Sequence, residues 1–439
     1  MFGYHLKMVA HSLRRSPGYA LLVMAGVALG VAVATMFSTV RHTYAKDPVP
    51  SKSSVLYYVR LNAWDPVLPH ENGIPPMVTY MDATAITKSS IPVRQSPMFS
   101  SELIVSRDDD RSHPKRESAR PCFGDFFAMF NVPFKYGAAW DRKADEGLEP
   151  VAVLNEGLNE RLFGGADSVG KRLLIDGRTF RIVGVLDRWS PTIRAYDLTV
   201  VDKATAPPES IYIPFHFLRP MQLRSAGSFQ GWKVEPAPGY EGVLASEDTW
   251  LQVWVELPNV EAVDSYKRFL DEYAMGQRKV GRFLARMDNR VTPLLDWMME
   301  RQGIPPETDA MTLVAVLFFV VCSMNLMGVL MAKFLARAPQ IGVQRALGAS
   351  KRDIFLQLVL ECEIIAVAGG IAGVLLAALA LIGVNHYAED IFYRDDLFHI
   401  DWSMLWFAIV SSLVAGLIAG VYPAYRICRV PPSVYLRLQ

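Results

Sequence analysis

The residues that come closest to a chemical motif are Gly165-Ala166-Asp167-Ser168-Val169-Gly170-Lys171-Arg172, which have the spacing of a phosphate-binding P-loop. In a P-loop, backbone amides and the lysine hold phosphates, and the serine or threonine after the lysine holds magnesium. Arg172 stands at that position, so the magnesium ligand is missing. The stretch also follows a predicted helix and precedes a predicted hairpin, whereas a P-loop joins a strand to a helix. The pattern therefore argues against nucleotide binding here.

No other constellation suggests catalysis. The eight histidines are scattered, and neither GxSxG nor HExxH occurs. The four cysteines form no CxxC pair, and only Cys122 falls in the large polar region, which therefore cannot close an internal disulfide. The charge run at 107–111 favours a solvated loop over a calcium site. We predict a chain without catalytic residues, metal or bound cofactor.

The balance of charge excludes one class of partner. The 439 residues carry a net charge of +1, which leaves no domain-wide basic excess to neutralise phosphates. We therefore expect no nucleic-acid partner.

Four uncharged apolar runs, at 19–40, 311–331, 364–384 and 404–422, are each long enough to cross a bilayer core of about 30 Å as a helix. A single run of this kind could be a buried core helix, but four together favour membrane spans. The first run could also be a cleaved signal peptide ending at Ala32-Val33-Ala34. Its length favours an uncleaved anchor, because signal h-regions are about 7–15 residues long.

Flanking charges predict the orientation of the spans. Basic residues dominate 1–18, 332–363 and the tail at 423–439, whereas the 385–403 loop holds five acids and one arginine. Both termini and the 332–363 segment are therefore expected in the cytoplasm, and the 41–310 segment and the 385–403 loop outside. Within 1–18, Phe2, Leu6, Val9 and Leu13 predict an amphipathic helix on the inner surface, with an unstructured basic segment as the alternative.

Small residues recur at four-residue spacing in three of the spans. This spacing lets helix backbones approach closely in lipid. No charged residue or histidine lies inside any run, which argues against an ion-coupled transporter or a hydrated pore. The glycines predicted to pack helices are Gly26, Gly30, Gly369, Gly373, Gly416 and Gly420.

The 41–310 segment mixes predicted strands with predicted helices. Strands are expected at 54–61, 102–107, 150–154 and 251–257, and helices at 79–89, 155–163 and 260–275. Asn155 is the predicted N-cap of the second helix, and Asp176-Gly177 predicts a hairpin. Residues 291–301 are expected to form a helical stalk. The fold class is thus a membrane protein with four transmembrane α-helices and a large α+β extracytoplasmic domain, of two subdomains, between helices 1 and 2.

The segment from 337 to 354, between the second and third runs, is short, basic and partly amphipathic. Its apolar side chains could fill a groove, its arginines could pair with acids, and its glycines permit turns. A plain cytoplasmic loop is the alternative. The residues predicted to dock on a partner are Arg337, Gln340, Ile341, Gly342, Arg345, Ala346, Leu347, Gly348, Ala349, Arg352 and Ile354.

Several motifs, in the same order and spacing, resemble the MacB/FtsX-type (type VII) ABC transporter permease family. In the polar region they are Asp125-Phe126-Phe127, Pro150-Val151-Ala152-Val153-Leu154, Leu162-Phe163-Gly164-Gly165 and Val183-Gly184-Val185-Leu186. The cytoplasmic stretch 340–349 resembles the family's Glu-Ile-Gly-x-x-Arg-Ala-Leu-Gly-Ala, with Gln340 in place of the acid. The end, Tyr422-Pro423-Ala424-Tyr425-Arg426, also resembles the family terminus, although Ile427-Cys428 departs from it.

The resemblance implies a permease in a bacterial inner membrane. It implies two copies of a separate cytoplasmic ABC ATPase, which bind the ATP and magnesium, because no nucleotide-binding domain is recognised in the chain. It also implies a second permease, identical or homologous, and a membrane-lipid environment, and it leaves a periplasmic adaptor open. The 340–349 stretch would belong to the ATPase-docking region, and Gln340 would report how the permease is paired.

The function expected is mechanotransmission: movement driven by ATP in the partner passes to the outer domain, which exports or extracts a lipoprotein, lipid, peptide or amphiphilic small molecule. One alternative is an FtsX-like regulator that transports nothing and activates a cell-wall hydrolase. Another is a sensor or resistance complex with a kinase. The sequence leaves the substrate open, and it leaves open whether the permease forms a homodimer or a heterodimer.

Overall fold

The structure, a computed structural model, describes residues 17–64, 66–67, 73–110, 113–200, 204–233, 238–301, 306–392 and 398–429. The predicted amphipathic helix with Phe2, Leu6, Val9 and Leu13 lies outside these residues, as does the tail beyond 429. The chain divides into two compact units, one formed by 46–303 and the other by 1–45 together with 304–439.

Strands and helices are interspersed in the 46–303 unit, whereas the elements of the other unit are helices. The strands are β1 (Leu56–Arg60), β2 (Arg94–Met98), β3 (Ser101–Arg107), β4 (Lys115–Cys122), β5 (Phe134–Gly137), β6 (Val151–Leu154), β7 (Arg172–Ile175), β8 (Arg178–Leu186), β9 (Ile211–Pro214), β10 (Gln252–Glu256) and β11 (Arg290–Pro293). The helices are α1 (Pro17–Ala45), α2 (Tyr80–Ile86), α3 (Asp125–Met129), α4 (Arg142–Glu146), α5 (Glu156–Phe163), α6 (Tyr240–Ala245), α7 (Val260–Lys279), α8 (Leu294–Glu300), α9 (Pro306–Ala336), α10 (Ala338–Ala346), α11 (Lys351–Phe392) and α12 (Trp402–Arg429).

Four helices, α1, α9, α11 and α12, are long and apolar enough to cross a membrane. They correspond to the four predicted spans, so the predicted fold class, four membrane helices with an α+β domain between the first two, is confirmed. A large share of their apolar side chains is exposed to the surroundings, as expected for helices whose solvent is lipid.

The predicted packing glycines lie where these helices meet. A Cβ atom on Gly369 would lie 2.8 Å from the Met24 carbonyl oxygen, and one on Gly373 would lie 2.7 Å from that of Ala28, so α11 passes α1 at backbone contact. The other four glycines also face side chains of a neighbouring helix. A Cβ atom would lie less than 3.0 Å from the neighbouring side chain at three of them and 3.3 Å from it at Gly30. The pairs are Gly26 with Leu326, Gly30 with Phe319, Gly416 with Ala366 and Gly420 with Cys362. Close approach of this kind lets dispersion hold helices together in lipid.

The helices do not stop where the charges begin. The 332–363 segment, expected between two spans, is at both ends a continuation of them: α9 runs on to Ala336, and α11 starts at Lys351 and has no break at 363. Charged side chains end an apolar run without breaking backbone hydrogen bonds, which explains the difference. With 42 residues, α11 is about 63 Å long, twice a bilayer core.

The other unit contains two sheets. The smaller has the strand order β11-β1-β10-β2, and the larger has β5-β8-β6-β9-β4-β3-β7. Because β7 also pairs with β8 in the hairpin at Asp176-Gly177, the larger sheet closes on itself. The buried apolar side chains of the two sheets form one continuous cluster, and the division of this domain into two subdomains stays a prediction.

A buried charged network joins the sheets. Arg120, on β4 of the larger sheet, donates to Gln252 on β10 of the smaller at 3.0 Å, and its guanidinium lies 2.5 Å from Asp197 and 2.6 Å from Glu209. Burial alone would raise the pKa of the Asp197 carboxyl, but Arg120 and Arg194 outweigh it and hold that pKa below its usual range. The network is thus an ionised crosslink within this unit.

Most predicted elements of this unit are present, and Asn155 accepts the Leu158 amide as the predicted N-cap of α5. The prediction of a helical stalk at 291–301 is wrong. Its first residues form β11, which pairs antiparallel with β1, and only Leu294–Glu300 is helical. The β-branched Val291 and Thr292 complete a sheet edge, and a buried Trp297 stacks on Tyr58 at 4.0 Å, so tertiary pairing decided this segment.

Candidate functional site

The candidate site is the connection between the two membrane helices α9 and α11. Pro339 stands in the first turn of α10, where its missing amide costs no hydrogen bond. Gly348 ends the turn after α10 with φ +103, a conformation that favours glycine. Ser350 then starts α11: its Oγ accepts the Asp353 amide at 3.1 Å and donates to the Asp353 carboxylate at 2.6 Å. These local signals fix a short helix between two turns.

One face of α10 packs on the helical unit. Ala338, Ile341 and Gly342 are buried. Ile341 belongs to the same apolar cluster as Phe334 at the end of α9 and Ile354 at the start of α11. This face fixes the position of α10 relative to both membrane helices.

The opposite face of α10 is apolar and uncovered. Val343 is 48% exposed, and Leu347, one helical turn later, is 84% exposed. Gln340, Ala346, Gly348 and Arg352 are also exposed. An exposed apolar pair on a helix whose other face is packed has the chemistry of a protein-docking surface.

A buried cluster of ion pairs lies where α9, the start of α10 and α11 meet. Lys333 on α9 and Glu361 on α11 are each 1% exposed, and their Nζ and Oε1 atoms are 2.5 Å apart. Arg337, between α9 and α10, donates to both carboxylate oxygens of Glu361 at 3.1 Å. One carboxylate therefore joins α9, the start of α10 and α11.

A weaker contact reaches the fourth membrane helix. Arg345, half-buried on α10, donates to the carbonyl of Cys428 near the end of α12 at 3.5 Å. Together with the Glu361 cluster, this contact places α10 against elements from three of the four membrane helices.

The structure divides the residues expected to dock. Ile341, Gly342 and Ile354 are buried within the chain, so two of the three apolar side chains expected to fill a partner's groove, Ile341 and Ile354, fill the chain's own core instead. Arg337 is engaged by Glu361, whereas Arg345 and Ala349 are half-buried. The exposed members are Gln340, Ala346, Leu347, Gly348 and Arg352.

Sequence reasoning missed three residues of this site: Val343, Lys333 and Glu361. Val343 could have been found from its spacing of four residues to Leu347. Glu361 carried a weaker signal, an acid at the edge of an apolar run. Its pairing with Lys333 connects residues on two different helices, and no local pattern marks such a pairing.

The P-loop-like stretch lies in the other unit. Residues 164–171 form turns between α5 and β7, and the Lys171 ammonium lies over the Phe163 ring at 4.8 Å. In the described part of the chain, no group of three or more His, Cys, Asp or Glu side chains could hold a metal ion.

Comparison with known proteins gives two family matches. Residues 20–273 match the profile described as MacB-like periplasmic core domain, and residues 312–432 match the FtsX-like permease C-terminal. The second match includes most of α9 and all of α10 and α11, and therefore the whole candidate site.

Similar curated proteins are longer than this chain. The macrolide export ATP-binding/permease protein MacB of Rhodospirillum rubrum is 23% identical over 99% of this chain and 60% of its own length. The pyoverdine export ATP-binding/permease protein PvdT of Pseudomonas syringae pv. tomato is 26% identical over 71% of this chain and 41% of its own length. The chain thus spans about half the length of the curated relatives it matches.

Among solved structures, the periplasmic region of MacB from Actinobacillus actinomycetemcomitans aligns with 57% of this chain and 94% of that chain. The identity is 12% and the TM-score is 0.35.

Proposed function

This chain belongs to the family of permeases with a MacB-like periplasmic core domain and an FtsX-like C-terminal region, and from that premise we propose that it transmits force from a cytoplasmic ABC ATPase. The ATPase docks on the exposed face of α10, around Val343 and Leu347. The movement that it makes on binding and hydrolysing ATP passes to the extracytoplasmic domain.

The observation that carries this proposal is the rigid attachment of α10. Its outer face is apolar and uncovered, whereas its inner face is held by Ile341 and by the Glu361 cluster. A push on α10 therefore moves α11 with it. Because α11 is one unbroken helix of 42 residues, displacement at its first turn reaches its far end.

The proposal also includes the orientation of the chain in the membrane and the subunits that it works with. Both termini and α10 lie in the cytoplasm, and 46–303 lies outside, in keeping with the basic residues around α10. ATP and magnesium are bound by the ATPase, of which two copies serve a pair of permeases, this chain and an identical or homologous one. The catalytic residues for hydrolysis are on the ATPase, and this chain acts as a non-catalytic permease subunit.

The substrate is proposed by class. It is an amphiphile (a lipoprotein, lipid, peptide or small molecule) that the outer domain receives from the membrane or the periplasm and passes to a periplasmic adaptor. The names of two relatives refer to macrolide and pyoverdine export, which supports export as the direction of transport.

The test is capture of the ATPase. Tagged full-length chain is purified from its native membrane in mild detergent, and Mg-ATP hydrolysis by the captured complex is measured. We expect Leu347→Asp to abolish captured hydrolysis and Leu284→Asp to leave it unchanged, since Leu284 is an exposed leucine of the other unit. Equal hydrolysis in the Leu347→Asp and wild-type samples would overturn the docking proposal.

A further inference from the structure

The 46–303 unit contains a cavity of about 500 Å³ that none of the preceding function uses. Four stretches of chain line it: the end of α2 with the following residues up to Gln95, the start of α3, the α4 region from Trp140 to Glu146, and Phe215-His216 after β9. A cavity of this volume is in the range of sites for small organic molecules.

Carboxylates outnumber cations in the lining. The lining contains two cationic residues, Lys88 and Arg142, and four acids, which are Asp125, Asp141, Asp145 and Glu146. Arg142 is already paired with Glu146 at 2.9 Å. The remaining lining is therefore negative, which favours a positively charged occupant.

Asp145 is built into the wall. It is 3% exposed, and its two oxygens accept hydrogen bonds from the Gly124 amide at 3.0 Å and the Trp140 indole at 2.7 Å. Burial is the largest influence and raises the pKa of this carboxyl to about 7. The hydrogen bonds from Gly124 and Trp140 lower that pKa, and the neighbouring Asp125 and Asp141 charges raise it by smaller amounts. A cation beside it would stabilise the ionised form.

Gln95 supplies an independent observation. Its side chain is 6% exposed and lines the cavity, and its Nε2 donates to the carbonyls of Thr87 at 2.7 Å and Ser89 at 2.9 Å. These two carbonyls fix the orientation of the amide, because the reverse orientation would place oxygen against oxygen. The Gln95 Oε1 atom is buried and has no hydrogen-bond partner among the described residues. A buried acceptor without a donor is costly, so a ligand donor beside it would be stabilising.

The rest of the lining is aromatic. Phe123, Trp140 and Phe215 line the cavity, and His216 stacks on Phe123 with 5.4 Å between ring centroids. Aromatic faces attract organic cations and accommodate apolar bodies.

We propose that this cavity binds a small organic cation, with an ammonium or guanidinium head that donates to Asp145 and Gln95 Oε1 and an apolar body against the aromatic wall. The carboxylates attract a cation, and the unpartnered amide oxygen accepts a hydrogen bond from its N–H groups. The aromatic rings pack against an apolar body. The inference goes beyond the coupling function and does not depend on it, because every lining residue belongs to the 46–303 unit.

The test compares two dyes that share an apolar body and differ in charge: dansylcadaverine, a primary ammonium, and N-dansyl-6-aminohexanoate, a carboxylate. Binding to the full chain in lipid nanodiscs is followed by fluorescence anisotropy at neutral pH, without ATP or ATPase, and the signal of empty discs is subtracted. We expect the ammonium dye to bind at least about tenfold more tightly than the carboxylate dye, the scale of one hydrogen bond to a charged group.

Two variants and a control locate the binding. Asp145→Asn should weaken the ammonium dye by about tenfold, and Thr84→Trp, which fills the cavity without changing its charge, should abolish binding. Glu149→Gln removes an exposed acid that does not line the cavity and should change nothing. Should Asp145→Asn fail to fold, Thr84→Trp decides alone. Equal affinity for the two dyes, or unchanged binding in Thr84→Trp, would overturn the proposal. ATPase capture is measured separately, so either proposal can fail without the other.

Discussion

The Nζ atom of Lys333 lies 2.5 Å from the Oε1 atom of Glu361, and both side chains are buried between α9 and α11. Removal of one partner from such a pair leaves a buried charge without compensation and costs about 3–5 kcal/mol. We therefore expect Glu361→Gln to lower the thermal unfolding midpoint of the detergent-purified chain sharply, measured by loss of the monodisperse peak after heating.

The matched control for this pair removes both charges. Lys333→Met combined with Glu361→Leu replaces the pair by apolar side chains of similar size, and such replacements are often neutral or stabilising. The double variant should therefore melt closer to the wild-type temperature than Glu361→Gln does, although it also removes the carboxylate that accepts from Arg337. A Glu361→Gln protein as stable as wild type would show that the pair contributes nothing to holding α9 and α11 together.

The two faces of α10 should respond differently to the same substitution. Leu347→Asp places a charge on an exposed position and should change the stability of the chain by less than about 0.5 kcal/mol, whereas Ile341→Asp buries an unpaired charge and should destabilise it severely. Thermal melts of the two purified variants test this. Comparable melting of both would mean that the inner face of α10 is not packed as the structure has it.

Two glycines of α11 form a matched pair for helix packing. Gly369→Ala brings a Cβ atom to 2.8 Å from the Met24 carbonyl oxygen, and a backbone atom cannot rotate away. We expect a loss of about 1–3 kcal/mol, the usual cost of overpacking. Gly383→Ala meets no atom within 4 Å, so it should be neutral, or stabilising by up to about 1 kcal/mol through helix propensity. The yield of folded protein and its melting point measure the stability of each variant. A Gly383→Ala variant less stable than Gly369→Ala would contradict the contact between α1 and α11.

The raised pKa of Asp145 predicts a pH dependence of stability in the 46–303 unit. The folded state holds the proton up to a pKa of about 7, above the ordinary value of 3.8, mainly because burial disfavours the carboxylate. The stabilisation from the neutral carboxyl is therefore complete below about pH 4 and is lost as the pH rises through about 7, by up to about 4 kcal/mol. Asp145→Asn lacks this titration, so its stability relative to wild type should increase over that range.

Denaturant unfolding followed by tryptophan fluorescence at several pH values measures this difference. Asp197 and Glu209 act in the opposite direction. Burial alone would raise the pKa of each, but Arg120 and Arg194 lower it below the usual value, so their stabilisation is lost as the pH falls. That loss is common to both proteins and cancels in the comparison. A difference between wild type and Asp145→Asn that does not vary with pH would contradict the buried, neutral carboxyl.

Much of the fold was predictable from local patterns. The Asp176-Gly177 hairpin and the Asn155 cap depend on a few adjacent residues, and both are present. The 291–301 stretch was not predictable in this way, because Val291 and Thr292 form a strand only through their pairing with β1. The outer limits of the membrane helices were also missed, since hydropathy marks where lipid ends and not where helical hydrogen bonds end.

The position of the candidate site in the chain was predictable from the sequence, but which of its side chains are exposed was not. Residues 337–354 are basic and flanked by spans, and this is visible in the sequence. Ile341 and Leu347 have similar side chains, and only their positions relative to α9 and α11 determine that one is buried and the other exposed. The role of Gln340 in pairing stays a prediction, and its side chain is on the exposed side of α10.

The sequence by itself determined the four membrane helices, the α+β domain between the first two, and the segment that links the second and third. These follow from transfer free energies, helix periods and turn chemistry, which are properties of single stretches of chain. Only the tertiary structure decided that Lys333 meets Glu361, that Gln95 keeps an unpartnered oxygen, and that Asp145 is buried in the wall of a cavity. Pairings and unpartnered atoms arise where distant segments exclude water from one another, so no single stretch of the sequence contains them.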